Sequence, residues 1–387
     1  MEPSNPQLMP RWMTEEHVML RDSARKFFAA EVTPKLDDWR KQGVVDREIW
    51  PKLGAADLLG ASVPESYGGS GGDHSFDAVI FLEHAATGDY ALGIRVHMYV
   101  IHYILVFGTE EQKQRWIPTL VAGEKVGAIA MTEPNAGSDL QAIQSTAVKD
   151  GDDYLLNGSK TFITNGQQAD LICVVCKTDR NARARGISII IVETDDLEGF
   201  RRGRNLDKIG MKGQDTSELF FEDVRVPQDN LLGGDEGHGF FQLMGQLPFE
   251  RISISLTALA ACDFALRETL AYVKQREAFG KRLMDMQNTR FKLAEVKTKT
   301  EVLRSFLNDC IGRLIDGTLD APTASMAKWW STQTQCEVVD ECVQLHGGYG
   351  YMLEYPIAQL YADSRGQKIY GGANEVMKEV IARSLDT

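Results

Sequence analysis

The stretch Met131-Thr132-Glu133-Pro134-Asn135-Ala136-Gly137-Ser138-Asp139 marks the place where the periodicity of this chain changes. Before it, apolar residues recur every three or four positions; around and after it they fall into short β-rich runs. Val126 to Met131 leads into it as a predicted strand, and its density of Pro, Gly, Ser and Thr makes it a loop. Such a loop can turn backbone N–H groups and hydroxyls toward an anion or the edge of a polar ring. Taken alone, it reads more simply as a polar surface turn.

On the N-terminal side, Glu15 to Glu31 carries Val18, Met19, Ala24, Phe27 and Phe28 at helical spacing. Thr14 is a plausible N-cap without a clean capping box, and Pro34 limits the helix. Ser75 to Thr87 and Leu92 to Phe107 repeat the pattern, and Thr109 with Glu110 and Glu111 starts another helix. On the C-terminal side the predicted strands are Ser145 to Lys149, Tyr154 to Asn157, Leu171 to Lys177, Ile187 to Val192 and Glu218 to Phe221. No helix fits between them, so an antiparallel sheet or small barrel is expected rather than a parallel sheet. Arg251 to Gln275, Gln287 to Asp316 and Ala321 to Leu345 then read as long helices. The order predicts a mainly α chain with a central β domain. Residues 1–125 form an N-terminal helical domain, 126–235 a barrel-like β domain, and 236–387 an antiparallel four-helix bundle.

Composition narrows the function. The 42 Lys and Arg against 55 Asp and Glu give a net charge of −13, which argues against a nucleic-acid partner. No run of about 20 apolar residues exists to span a bilayer. Met1 to Arg11 shows neither an apolar h-region nor an Arg/Ser-rich pattern, so no signal or transit peptide is read and a bacterial cytoplasm is expected. Cysteines 173, 176, 262, 310, 336 and 342 are expected as free thiols, largely buried.

A second segment, Lys160-Thr161-Phe162-Ile163-Thr164-Asn165-Gly166, puts an aromatic ring and a hydroxyl on one face of an extended chain. With the Thr-Glu-Pro-x-Ala-Gly-Ser-Asp run it resembles the acyl-CoA dehydrogenase family. Further matches are Arg276-Glu277-Ala278-Phe279-Gly280-Lys281, Gln287, Gln344-Leu345-His346-Gly347-Gly348-Tyr349-Gly350 and Asp363 to Tyr370. The resemblance runs nearly end to end, and its fold has the same helix, sheet, helix order.

The resemblance implies tightly bound FAD. Ile129, Ala130, Met131, Thr132, Glu133, Pro134, Asn135, Ala136, Gly137 and Ser138 would hold the flavin ring and pyrophosphate. Phe162, where many relatives have Trp, would lie against the isoalloxazine, with Ile163 beside it and Thr164 bonded to the reactive nitrogen. Arg276, Phe279, Gln287, Gln344, Leu345, His346, Gly347 and Gly348 would reach the cofactor across a subunit boundary, in a homotetramer built as a dimer of dimers. Ala373, Asn374 and Glu375 would close over the flavin. Ser138, Gly186, Ile187, Phe241, Pro248, Phe249, Arg251 and Gly372 would touch the acyl-CoA. An electron-transfer flavoprotein would take the electrons.

The base departs from the commonest pattern. Most relatives carry Glu directly after the Tyr of the C-terminal motif; here Tyr370 is followed by Gly371. Two subgroups place the Glu at the start of the first long bundle helix, and this chain has Pro248-Phe249-Glu250-Arg251 there, most like the long-chain branch. Glu250 is therefore the candidate base, with the N–H of Gly371 as oxyanion donor. A macrodipole-favoured Glu at a helix N-terminus is the simpler reading of Glu250, and Glu375 is a rival carboxylate. The irregular Gly245 to Pro248 stretch would widen the acyl cavity for medium, long or methyl-branched chains. An oxygen-using flavin oxidase or monooxygenase and a noncatalytic acyl-CoA-binding protein are the rival functions on this fold. No metal site is read: Cys173 and Cys176 point to opposite faces of a strand, and His97 and His102 do not share a helical face.

Overall fold

The computed structural model describes residues 10–386. The reading of Met1 to Arg11 as free of a leader lies largely outside them. Helix α1 (Glu15–Phe27) starts where Thr14 N–H donates to His17 Nδ1 at 3.0 Å, so a histidine takes the role of a capping-box carboxylate. A π-helical turn over Phe28–Val32 and a tight turn carrying Pro34 end it. Helices α2 (Leu36–Gln42), α3 (Ile49–Ala55), α4 (His74–Ala85), α5 (Ile94–Phe107) and α6 (Glu110–Val121) complete the N-terminal layer. The short α2 and α3 had no periodic signature of their own; buried Trp39 and Trp50 pin them to the core.

The middle of the chain is a curled seven-stranded sheet: β1 (Gly127–Ala130), β2 (Thr146–Asp150), β3 (Asp153–Thr164), β4 (Leu171–Lys177), β5 (Ile187–Glu193), β6 (Phe200–Asn205) and β7 (Thr216–Pro227). Most pairings are antiparallel, as expected, but β1 runs parallel to β4 over Leu171 to Val174. The return connection that parallel pairing requires is the 131–145 loop plus the β2–β3 hairpin, not a helix. At its far end β4 trades β1 for β2, with Lys177 opposite Thr146, and this exchange produces the curl. β3 is far longer than Tyr154 to Asn157, and a register shift against β7 between Lys160 and Ile163 breaks its alternation.

Three long helices follow: α7 (Gly239–Gln275), α8 (Gln287–Ile315) and α9 (Ala321–His346), the last two joined by a short link and α9 capped by Asp320. The shorter α10 (Pro356–Ser364) and α11 (Asn374–Arg383) pack on α9. A two-stranded ribbon, β8 (Glu277–Ala278) and β9 (Lys281–Arg282), links α7 to α8. Helix α7 is the main departure from expectation: it begins at Gly239, twelve residues before Arg251, and runs straight through Pro248. Its 37 residues extend about 55 Å, from the β domain to the far end of the bundle. Packing along its whole length outweighs the local cost of Gly245 and Pro248. Five of the six cysteines are buried and Cys336 is half-buried, all free. Among the described residues no helix is long and apolar enough to cross a membrane.

Candidate active site

Because α7 begins at Gly239, Glu250 sits about 16 Å along a helix rather than at its mouth. The macrodipole reading of Glu250 therefore fails. Its carboxyl is 6% exposed and faces α5, where the Tyr103 hydroxyl donates to Oε1 at 2.9 Å. One turn earlier, Tyr99 meets Ser253 and approaches the Glu250 carbonyl at 3.4 Å. Burial pushes the Glu250 carboxyl up to about 7, and the Tyr103 hydroxyl and the neighbouring Arg251 charge offset only part of that. Among the described residues no cation pairs with it directly, which is unusual for a buried carboxylate.

The C-terminal motif reaches the same face of α7. Gly371 has φ +66° and Gly372 φ +92°, conformations that strain any side chain. A Cβ on Gly371 would come within 2.2 Å of Ile254 Cδ1, and Ile254 lies four residues beyond Glu250 on α7. The bare Gly371 backbone thus abuts the side chain one helical turn along α7 from Glu250. Lys328 on α9 anchors this loop: its Nζ donates to Gly372 O at 2.6 Å and to Asn374 Oδ1 at 3.1 Å. Thr332 donates to the same Asn374 oxygen at 3.1 Å. Lys328 was missed in the sequence because a lysine inside a long amphipathic helix normally faces water. The rival Glu375 is exposed in the first turn of α11.

On the β-domain side, Glu133 and Ala136 close a two-bond turn, leaving Pro134, Asn135, Gly137 and Ser138 exposed. The Glu133 side chain turns inward, where Lys160 Nζ donates to it at 2.7 Å and the amides of Gln144 and Ser145 at 2.5 and 3.0 Å. The bulge in β3 gives Phe162 a φ of +62° and leaves its ring 67% exposed, while Ile163 is buried and Thr164 half-buried. Asn165, another residue missed as a mere turn signal, donates to Gly93 O at 3.1 Å and Gly127 O at 3.0 Å. It ties the end of β3 to the start of α5.

These features fit FAD. An apolar ring held outward by a strained backbone suits stacking on a planar ring. The exposed turn offers backbone donors beside it, and Asn374 Nδ2 is buried with no partner among the described residues, as a cofactor-facing amide would be.

The remaining expected residues fall into two further groups. Gly186 and the fully buried Ile187 open β5 beside Ser188, against which Gly239 packs, with the exposed Phe241 two residues along α7. Arg276, Phe279, Gln287 and Gln344 to Gly348 gather at the opposite end of α7, roughly 37 Å from Glu250 by helix rise. There the Arg276 guanidinium lies 5.7 Å from the Tyr349 ring centroid, and Phe279 is 94% exposed. Phe249, expected against the acyl-CoA, packs its ring among His74 and Phe81 of α4 and Tyr99 and His102 of α5. His102 also bonds to buried Asp77 at 3.0 Å, and His97 bridges Leu120 O and Gly127 N, so both are tied into the fold.

Comparison with known proteins gives three family matches. The N-terminal, middle and C-terminal domain models of acyl-CoA dehydrogenase match residues 14–124, 128–224 and 237–385. The long-chain specific acyl-CoA dehydrogenase of Mus musculus mitochondria is 50% identical over 378 residues, covering 97% of this chain and 87% of that protein. An acyl-CoA dehydrogenase of Bacillus subtilis is 37% identical, covering 96% of this chain and 98% of its own. The crystal structure of acyl-CoA dehydrogenase from Geobacillus kaustophilus superposes with a TM-score of 0.95 at 48% identity, covering 98% of this chain and 100% of that one.

Proposed function

This chain belongs to the acyl-CoA dehydrogenase family, and from that premise we propose that Glu250 is its catalytic base and Gly371 its oxyanion donor. The protein is an oxidoreductase and uses FAD. Its proposed reaction converts an acyl-CoA thioester to the trans-2-enoyl-CoA. Bound FAD supplies the acceptor for the β-hydride.

The chain's own residues account for the other half of the chemistry. The α-hydrogen of a thioester is a weak acid, so charge developing on the carbonyl oxygen needs a preorganised donor. The Gly371 N–H serves there, held by the Lys328 bond to Gly372 O. Glu250 takes the α-proton from the α7 side, oriented by the Tyr103 hydroxyl. A base with its pKa near the working pH combines proton affinity with a useful ionised fraction. Phe162 and Thr164 would hold the flavin ring from the β-domain side; the turn at Pro134 to Ser138 would hold its phosphates, and Asn374 would present its free amide.

Medium or long acyl chains, straight or methyl-branched, are the proposed substrates, in line with the long-chain relatives. An electron-transfer flavoprotein is the proposed electron acceptor. A homo-oligomer is proposed because Phe279, Tyr351 and Leu353 expose 94%, 83% and 66% of their surface at the end of the bundle that carries Arg276. That end would then complete the cofactor site of a neighbouring copy.

The observation that carries this reading is a buried carboxyl without a direct ion pair among the described residues, on the same stretch of α7 that the Gly371 backbone abuts through Ile254. Glu250→Gln should keep its yellow flavin and bind acyl-CoA. Its anaerobic bleaching by substrate should slow by about 10⁴-fold. Bleaching within tenfold of the wild type would move the base elsewhere.

A further inference from the structure

The face that α5 turns toward α7 carries Arg95, Tyr99 and Tyr103 at four-residue intervals, so the three stack along one stripe about 12 Å long. Tyr103 reaches the Glu250 carboxyl and Tyr99 its carbonyl. Arg95 ends the stripe beside Tyr370, the residue before Gly371: its Nη2 donates to the Tyr370 hydroxyl at 3.3 Å, and Cζ lies 5.9 Å from that ring. Its Nη1 is shielded from solvent and has no hydrogen-bond partner. Among the described residues no carboxylate pairs with it; its titratable neighbours are Tyr90, Tyr99, Tyr370 and His84, whose imidazole is kept neutral by burial and, after it, by the Arg95 charge. Arg40, by contrast, is paired with Asp89 at 2.6 Å, and the buried Arg251 beside Glu250 at least donates to Ser325 at 3.0 Å. A guanidinium enclosed without a counter-charge is costly unless something brought to the site completes it.

We propose that Arg95 is a specificity-determining residue that binds a carboxylate carried on the acyl chain, so that the enzyme prefers carboxyacyl-CoA esters over plain acyl-CoAs of the same length. The proposal rests on the acyl-CoA dehydrogenase reading of the same groove. A carboxylate fits because it matches the charge and offers two oxygens to the guanidinium fork. The position fits because Arg95 lies about 12 Å along α5 from Tyr103, the residue that bonds the base. A chain lying along the stripe has its reacting carbons beside Glu250 and its remote end free to reach the arginine. The polarity of the stripe, two tyrosines and an arginine, is also foreign to a groove meant only for hydrocarbon.

The test uses holoenzyme and matched pairs of CoA esters, plain and ω-carboxylated, across several chain lengths. Turnover is read as anaerobic flavin bleaching. Binding is read separately by calorimetry in a Glu250→Gln background, with and without Arg95→Leu. The expected result is a wild-type preference for the carboxylated ester in at least one pair. Arg95→Leu should cut kcat/KM and affinity for that ester by about 100-fold or more while sparing its plain partner. Arg95→Lys should recover part of the loss. Equal loss on both esters, no wild-type preference at any length, or loss of FAD with unchanged preference would overturn the proposal. Failure of the base reading has a different signature: bleaching that persists in Glu250→Gln.

Discussion

Two glutamates in this molecule are equally hidden, each 6% exposed, and they behave in opposite ways. Burial pushes both carboxyls up. At Glu133 the Lys160 ammonium and the amides of Gln144 and Ser145 more than offset it, holding the group below the usual carboxylate range. At Glu250 only a tyrosine hydroxyl and a poorly placed arginine oppose it, and the group rises to about 7. Glu133 lies within the family's signature loop, yet its side chain acts as a bolt between that loop and the sheet. Glu250 lies in a stretch whose Gly245 and Pro248 looked unsuited to a helix. Burial marks neither as catalytic; the number of donors left for the ionised form does.

The sharpest way to break this comparison is to neutralise each in turn. Glu133→Gln would leave the Lys160 ammonium inside the β domain with only the carbonyls of Met131 and Val175 and a neutral amide. Removing one partner of a buried pair costs about 3–5 kcal/mol. Its unfolding midpoint in urea or heat should fall accordingly, and flavin should leak from the loosened loop. Glu250→Gln should be as stable as the wild type or more so, since it removes a carboxylate the fold disfavours. Equal destabilisation by the two substitutions would erase the distinction.

What the sequence made legible follows the same physics. The helix, sheet, helix order showed because long elements impose their period on many residues. The signature loop showed as a turn because Pro, Gly, Ser and Asn favour one, and its role came from the resemblance its run of residues carries. The start of α7 was hidden: Gly245 and Pro248 carry strong local signals, and only burial against α5 and the β domain overrules them. The parallel β1–β4 pairing was hidden because its connection is made of strands. Lys328, Asn165 and Arg95 were hidden for one reason. Each acts through a partner far away in the chain, and a single residue of common type leaves no pattern for spacing to detect.

A pH series sharpens the contrast at a somewhat smaller scale, because the two carboxyls have opposite linkage. Glu133, held low in the folded state, adds stability above its unfolded pKa, and that stability is lost as pH falls through the folded value. Glu250 runs the other way. Its raised pKa leaves stability intact below about 4.5 and erodes it as pH climbs from 4.5 to about 7. The difference in unfolding free energy between wild type and Glu250→Gln should shift by on the order of 3 kcal/mol across that window, then flatten. The same ionisation should appear in catalysis as a rise of kcat/KM through pH about 7. A flat profile between pH 5 and 8 would assign the proton to another group.

Tyr103→Phe gives the finest cut, because it changes the donor count at Glu250 by one without altering its burial. The hydroxyl at 2.9 Å stabilises the ionised carboxylate, so its removal raises the pKa further. A net loss of about 1 kcal/mol at the charged form moves the limb up by about 0.7 of a pH unit, which corresponds to about threefold lower kcat/KM at pH 7. The rate should recover as pH rises past the displaced limb, since the methylene path of the base and the Gly371 donor are untouched. If Tyr103 instead serves only to orient the carboxylate, the fall will be the same at every pH and the limb will stay where it was. The position of the limb, more than the size of the loss, therefore decides whether donor count governs the difference between the two buried glutamates.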